Sequence, residues 1–168
     1  MSVGKTTLVN ALKETKQFKD YMFRTERSKY LMEQGIPLNT DSTLKGQTIF
    51  LAERCAELIQ TDIITDRTVL DVMAFTMNAK SINHQDKEAF ETYASEFVRE
   101  YDYIFYISPY GIEIEDNGVR ETDEHYRDLI DFTITTLIKR HGHKAGTIEK
   151  ISGSTEERIQ QILKFTNL

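Results

Sequence analysis

One cysteine, Cys55, stands in 168 residues. A lone thiol cannot form an internal disulfide, so the expected compartment is the cytosol. Only two prolines occur, Pro37 and Pro109, and both fall between periodic segments, as loop residues do. No apolar run approaches the roughly 20 residues of a membrane span. No basic-then-apolar leader opens the sequence, and no partner membrane is expected. Positive charge is also short: 21 Lys and Arg stand against 27 Asp and Glu, a formal net charge of -6. Duplex nucleic acid needs a basic face, so it is excluded as the main ligand. A nucleotide needs only a few local cations and is not excluded. Repeats, low-complexity tracts and linkers are absent as well. The expectation is one domain spanning residues 1–168.

Helices and strands alternate in the remaining pattern. Helical periodicity predicts segments at 5–16, 26–34, 42–60, 69–80, 84–101 and 122–141, and a last helix after Ser154. The 42–60 helix would be capped by Asp41 or Ser42. In 84–101 the inward set is Phe90, Tyr93, Ala94, Phe97, Val98 and Tyr101. In 122–141 it is Tyr126, Leu129, Ile130, Leu137 and Ile138, ending in the basic turn Lys139-Arg140-His141. Ser154 and Glu157 have capping-box spacing. Strands are expected at 19–25, 62–65, 103–107 and 147–151. This alternation implies an α/β fold of three α/β/α layers around a mainly parallel sheet.

The first helix begins at Gly4-Lys5-Thr6-Thr7. These residues match the end of G-x-x-x-x-G-K-[ST], the phosphate-binding loop. Gly4 lets backbone approach a phosphate, and first-turn N–H groups point at anions. Lys5 would reach the β- and γ-phosphates of ATP, the Thr6 hydroxyl would ligate Mg²⁺, and Thr7 would orient the α-phosphate end. The first glycine of the pattern would fall two positions upstream of Met1. The strand that precedes such a loop has no room either, so the sheet is expected to lack it and the native start to lie about ten residues earlier.

Several segments together resemble P-loop nucleoside and nucleoside-monophosphate kinases, especially the small kinase-like ATPase domains of phages and bacteria and the kinase half of nicotinamide-riboside kinases. The resemblance spans nearly the whole chain. Asp66-Arg67-Thr68, after the 62–65 strand, looks like that group's DR or ER(S/T) element. It implies Asp66 as a Mg²⁺ or proton-handling acid and Arg67 as a phosphate clamp. The stretch from Asp116 to Asp123, with Arg120, followed by Tyr126-Arg127 and Ile130-Asp131, looks like the lid (109–127). It implies Arg120 first and Arg127 second as charge stabilisers on the transferred group. Arg127 has a plainer alternative, a helix-surface pair with Asp123 or Asp131. Arg24-Thr25-Glu26-Arg27 would face the acceptor, with Glu26 as base and Arg24 or Arg27 on an acceptor phosphate. Ile151-Ser152-Gly153-Ser154 resembles the turn beside the adenine, although capping accounts for Ser154 and Glu157. Such kinases are often homodimers.

The expected activity is therefore ATP- and Mg²⁺-dependent phosphoryl transfer to a nucleoside or nucleoside monophosphate. The alternatives are a P-loop ATPase or regulatory nucleotide-binding module, or an inactive truncated copy. Phe75, Phe50 and Tyr30 are candidates to hold a base. His84, His125, His141 and His143 lack metal-ligand spacing, and His141-Gly142-His143 reads as a turn. Cys55 reads as core.

Overall fold

The computed structural model describes residues 4–25, 27–109 and 124–168. Its elements run α1 (Lys5–Lys13), β1 (Met22–Arg24), α2 (Ser28–Glu33), α3 (Leu44–Glu57), β2 (Ile63–Thr65), α4 (Val69–Asn78), α5 (His84–Ala94), β3 (Tyr103–Ile107), α6 (Glu124–His141), β4 (Thr147–Ile151) and α7 (Thr155–Thr166). The α/β alternation expected from sequence is present, and both prolines lie outside helices and strands.

The four strands are all parallel, but they form two pairs. β1 pairs with β2, Met22 opposite Ile63 and Arg24 opposite Thr65. β3 pairs with β4, Tyr103 opposite Thr147 and Ile107 opposite Ile151. No hydrogen bonds join β2 to β3 among the described residues. A cavity of about 900 Å³ lies there instead, lined by both strands. Leu8, Leu12 and Ile162 close it from one layer, and Leu70, Ile130 and Ile134 from the other. This split agrees with the expectation of a sheet that lacks its interior strand, and among the described residues β2 and β3 each turn an edge without a ladder partner toward the gap.

Two apolar clusters cover the strand faces. The larger joins α3, α4, α5 and α6 around Val69, Met73, Ala94, Val98 and Ile130, all 0% exposed. The smaller joins α1 and α7 through Leu8, Leu12, Phe18, Ile159 and Ile162. Side-chain alternation on β3 serves both: Ile104 packs in the larger cluster, and Phe105 and Ile107 pack against the smaller. α4 is apolar nearly all round, with Val69, Leu70, Val72, Met73 and Ala74 buried, so it forms the centre of its layer.

Several helix boundaries differ from the periodic reading. α1 stops at Lys13, and Lys16–Phe18 tighten into a 3₁₀ turn that buries Phe18 edge-on against Tyr21, centroids 5.2 Å apart. α3 is capped by Thr43, not Asp41 or Ser42, because the Thr43 hydroxyl accepts from Gly46 N–H at 3.1 Å. The helix expected at 84–101 ends at Ala94 and continues as a 3₁₀ segment, Ser95–Glu100. Ser95 is buried with Val98 on that segment, while Tyr93, expected inward, is 64% exposed. On α6, Leu129 is exposed and Asp131 is buried in its place. The start expected at 122 lies outside the described residues. β3, β4 and the Ser154–Glu157 capping box agree with the sequence reading. Among the described residues no helix is long and apolar enough to cross a membrane.

Candidate functional site

Gly4 adopts φ 71°, ψ 20°, a left-handed conformation that suits glycine, and leads directly into α1. The first turn of α1 holds no acidic residue and no side-chain cap. Helical geometry leaves its opening N–H groups without intrahelical acceptors. An anion is the natural complement of that end, and Lys5 adds a cation facing the cavity.

Asp66 follows β2 directly and is 6% exposed. Its backbone N–H donates to the Arg24 carbonyl at 3.2 Å, which carries the β1–β2 ladder one step further. Its Oδ2 accepts from the Thr6 hydroxyl at 2.9 Å. A hydroxyl and a carboxylate therefore meet at the start of α1. These are hard oxygen donors, and one or two such groups plus phosphate oxygens are the usual protein share of a Mg²⁺ shell. No group of three His, Cys, Asp or Glu side chains with metal-holding geometry occurs among the described residues. The donor set thus fits a cation delivered with phosphates rather than a protein cage.

The next residues shape the cavity wall. Thr68 caps α4 in a full capping box with Asp71, whose Oδ2 accepts from Thr68 N–H at 2.9 Å. Asp71 Oδ1 also lies 3.8 Å from the Arg67 guanidinium, one turn earlier. The Arg67 guanidinium stands 5.3 Å from the centre of the Phe75 ring. Arg67, Asp71 and Phe75 all line the cavity. Tyr101 supports this corner from behind: its hydroxyl accepts from Val69 N–H at 3.1 Å, and burial pushes its pKa well above the ordinary tyrosine value.

Lys5, Asp66 and Arg67 line one cavity, with Thr6 bonded to Asp66. Arg24, Arg27 and Arg127 do not line it. Arg24 is exposed and donates to the neighbouring Phe23 carbonyl at 3.2 Å. Arg27 lies 3.4 Å from Glu53 and 4.4 Å above the Tyr30 ring. Arg127 lies 3.4 Å from Asp128. Glu26 and Arg120 lie outside the described residues, as does Asp123. Of the three aromatic candidates, Phe75 lines the cavity; Phe50 packs in the core and Tyr30 is exposed.

Sequence reasoning missed three sets of side-chain contacts. The T-x-x-D spacing of Thr68 and Asp71 carried a capping-box signal. Asp131 was marked by being an acid beside Ile130 on an apolar helix stripe; it is 6% exposed and accepts from the Tyr106 hydroxyl at 2.7 Å. The third has no local signal: Glu91 on α5 receives Arg140 at 2.6 Å and lies 2.8 Å from His141 Nε2, about fifty residues away. His141 is therefore a tertiary contact rather than part of a plain turn. Cys55 is half-buried against the larger cluster, and burial pushes its thiol up.

The profile of the AAA domain family matches residues 1–158. Among solved structures, the deoxyadenosine kinase from M. mycoides, determined with the products dCMP and a flexible dCDP bound, is similar with a TM-score of 0.66. The match covers 98% of this chain and 94% of that one at 17% identity, a likeness of fold. No curated protein matches the chain.

Proposed function

Because the chain belongs to the AAA domain family of P-loop ATPases, we propose that it binds ATP with Mg²⁺ at Gly4–Thr7 and passes the terminal phosphoryl group to a nucleoside or nucleoside monophosphate. The observation that carries this reading is the Thr6–Asp66 hydrogen bond, which brings a Mg²⁺-type oxygen pair to the first turn of α1. The fold shared with a deoxyadenosine kinase supports a nucleoside-type acceptor.

In this reading residues 1–168 act as one kinase-like domain with its lid at about 109–127. Bound Mg-ATP supplies the transferable group. Gly4 and the first-turn N–H groups hold the phosphates, and Thr7 orients their α end. Lys5 neutralises charge on the β- and γ-oxygens, and Thr6 with Asp66 holds the metal side. Arg67 clamps the acceptor against Phe75. Arg120 and Arg127 close over the transferring group, and Arg24, Glu26 and Arg27 form the far side of the acceptor site. Catalysis is then mainly positioning and charge stabilisation.

A second reading is an ATPase without a small acceptor. The family match and the pairing of Arg27 with the chain's own Glu53 favour it. One assay separates the two. Mg-ATP is supplied with each common nucleoside and monophosphate in turn, and ADP release is followed. Release that depends on an acceptor supports the kinase; release indifferent to every acceptor supports the ATPase; no release, with Lys5→Met indistinguishable from wild type, overturns both.

A further inference from the structure

Arg158 has no part in the reading above, yet its guanidinium stands at the phosphate-loop end of α1. A Cβ built on Gly4 would lie 3.4 Å from Arg158 Nη1. The glycine thus leaves room beside the loop for a cation carried by another helix. Arg158 lies in the first turn of α7, and its backbone N–H donates to the Ser154 carbonyl at 3.0 Å. The Ser154–Glu157 capping box fixes that turn. Ile159 and Ile162, which follow on α7, pack with Leu8 and Leu12 of α1. A rigid helix-to-helix contact therefore holds the guanidinium at the loop.

The placement is electrostatically adverse in the ligand-free protein. A helix N-terminus carries the positive end of the dipole, which attracts anions and repels cations. Two cations, Lys5 and Arg158, stand at this end of α1, and its first turn holds no acid. The acids that precede Arg158 in sequence serve their own helix. Glu157 accepts from Ser154 N–H at 2.7 Å, and Glu156 accepts from the Gln160 amide at 3.2 Å. A phosphate chain relieves this concentration of positive charge, and the planar fork of an arginine suits two of its oxygens. Packing α7 on α1 requires no charge at this point.

We propose that Arg158 is a further nucleotide-binding residue, reaching from α7 to Gly4 and clamping the phosphates that stay on the nucleoside diphosphate after transfer. This role rests on the nucleotide reading of Gly4–Thr7. The loop holds those phosphates before and after transfer, so the clamp serves ATP and ADP alike. It acts on affinity rather than on the chemical step.

The test titrates Mg-ATP and Mg-ADP into the full chain and follows turnover with the best acceptor. Arg158→Met keeps the apolar stem. It is expected to bind both nucleotides about 10- to 100-fold more weakly, the range for a hydrogen bond between charged groups. KM for ATP should rise by a similar factor, with kcat and the acceptor KM near wild type. Arg158→Lys restores the charge without the fork and should recover part of the loss. The ligand-free melting temperature of Arg158→Met is expected to equal or exceed that of wild type, because a cation leaves the helix N-terminus. Unchanged affinity for both nucleotides in Arg158→Met overturns the proposal, and a lower melting temperature beside it marks a packing residue. Wild type that binds neither nucleotide overturns the nucleotide reading and the clamp with it. Binding with the expected dependence on Arg158 but without turnover sinks the kinase reading alone and leaves the clamp supported.

Discussion

The Thr6 hydroxyl donates to Asp66 Oδ2 at 2.9 Å across sixty residues of sequence. This bond fixes the first turn of α1 against the end of β2, so the phosphate-loop end and the strand-end acid share one corner. Removing it tests both stability and chemistry. Thr6→Ala is expected to cost about 1 kcal/mol of unfolding free energy, the usual worth of one hydrogen bond. On the proposed reading it also lowers Mg²⁺-dependent ADP release by about 100-fold. Denaturant titration reads the first and a Mg²⁺ series reads the second. Full turnover in Thr6→Ala would remove the metal-side role.

Asp71 serves two neighbours at once, the Thr68 N-cap and the Arg67 guanidinium. Asp71→Ala is expected to cost about 1–2 kcal/mol through the lost cap, or about 2–4 °C in melting temperature per kcal/mol for a chain of this size. It should also weaken acceptor binding more than ATP binding, because Arg67 loses its tether. Equal losses for both ligands would point to general unfolding of α4 instead.

Acid should loosen α5 from α6. Burial alone would push the Glu91 pKa up, but the hydrogen bonds from His141 and Arg140 outweigh it and hold the group below its ordinary value of 4.5. A carboxyl with a depressed folded pKa binds fewer protons folded than unfolded. Its stabilisation is complete above the ordinary value and drains away as pH falls from there through the folded value. Chemical denaturation between about pH 6 and pH 3 should show this slope, and Glu91→Gln should flatten it. A variant with the wild-type slope would show that other carboxylates dominate acid unfolding.

Gly146 is required for space rather than for its dihedral angles. A Cβ there would meet the Asp102 carbonyl oxygen at 2.5 Å, while Gly146 N–H donates to the Tyr101 carbonyl at 2.9 Å. Both neighbours are backbone leading into β3, so neither yields by a rotamer change. Gly146→Ala is expected to destabilise by about 1–3 kcal/mol as an overpacking substitution. Near-native stability would mean that the turn entering β4 is freer than its contacts imply.

Local chemistry was legible where it is self-contained. Tyr103–Ile107 and Thr147–Ile151 are dense in β-branched and aromatic residues, and both strands fall at the residues expected. Ser154 and Glu157 complete their box within one turn. The Gly4–Thr7 start and Asp66 were read separately and meet in space. What escaped depends on tertiary partners. Periodicity sent Tyr93 and Leu129 inward, but both are exposed, and α6 buries Asp131 beside Ile130. The choice of Thr43 over Ser42 as cap rests on the hydroxyl that reaches Gly46 N–H, which composition does not reveal. Nor does spacing reveal that Glu91 will meet Arg140 and His141.

The split between β2 and β3 carries a consequence for how the molecule breathes. Across the gap the two strand pairs are held together by helix packing, with α1 against α7 and α4 among its neighbours against α6. Cooperative opening follows contiguous hydrogen-bonded units. Amides within the β1–β2 and β3–β4 ladders should therefore resist deuterium, while those on the cavity-facing edges of Ile63–Thr65 and Tyr103–Ile107 take it up early. The smaller apolar cluster holds Phe23 and Ile64 of one pair against Phe105, Ile107 and Ile151 of the other, so under mild denaturant the two pairs should still open together.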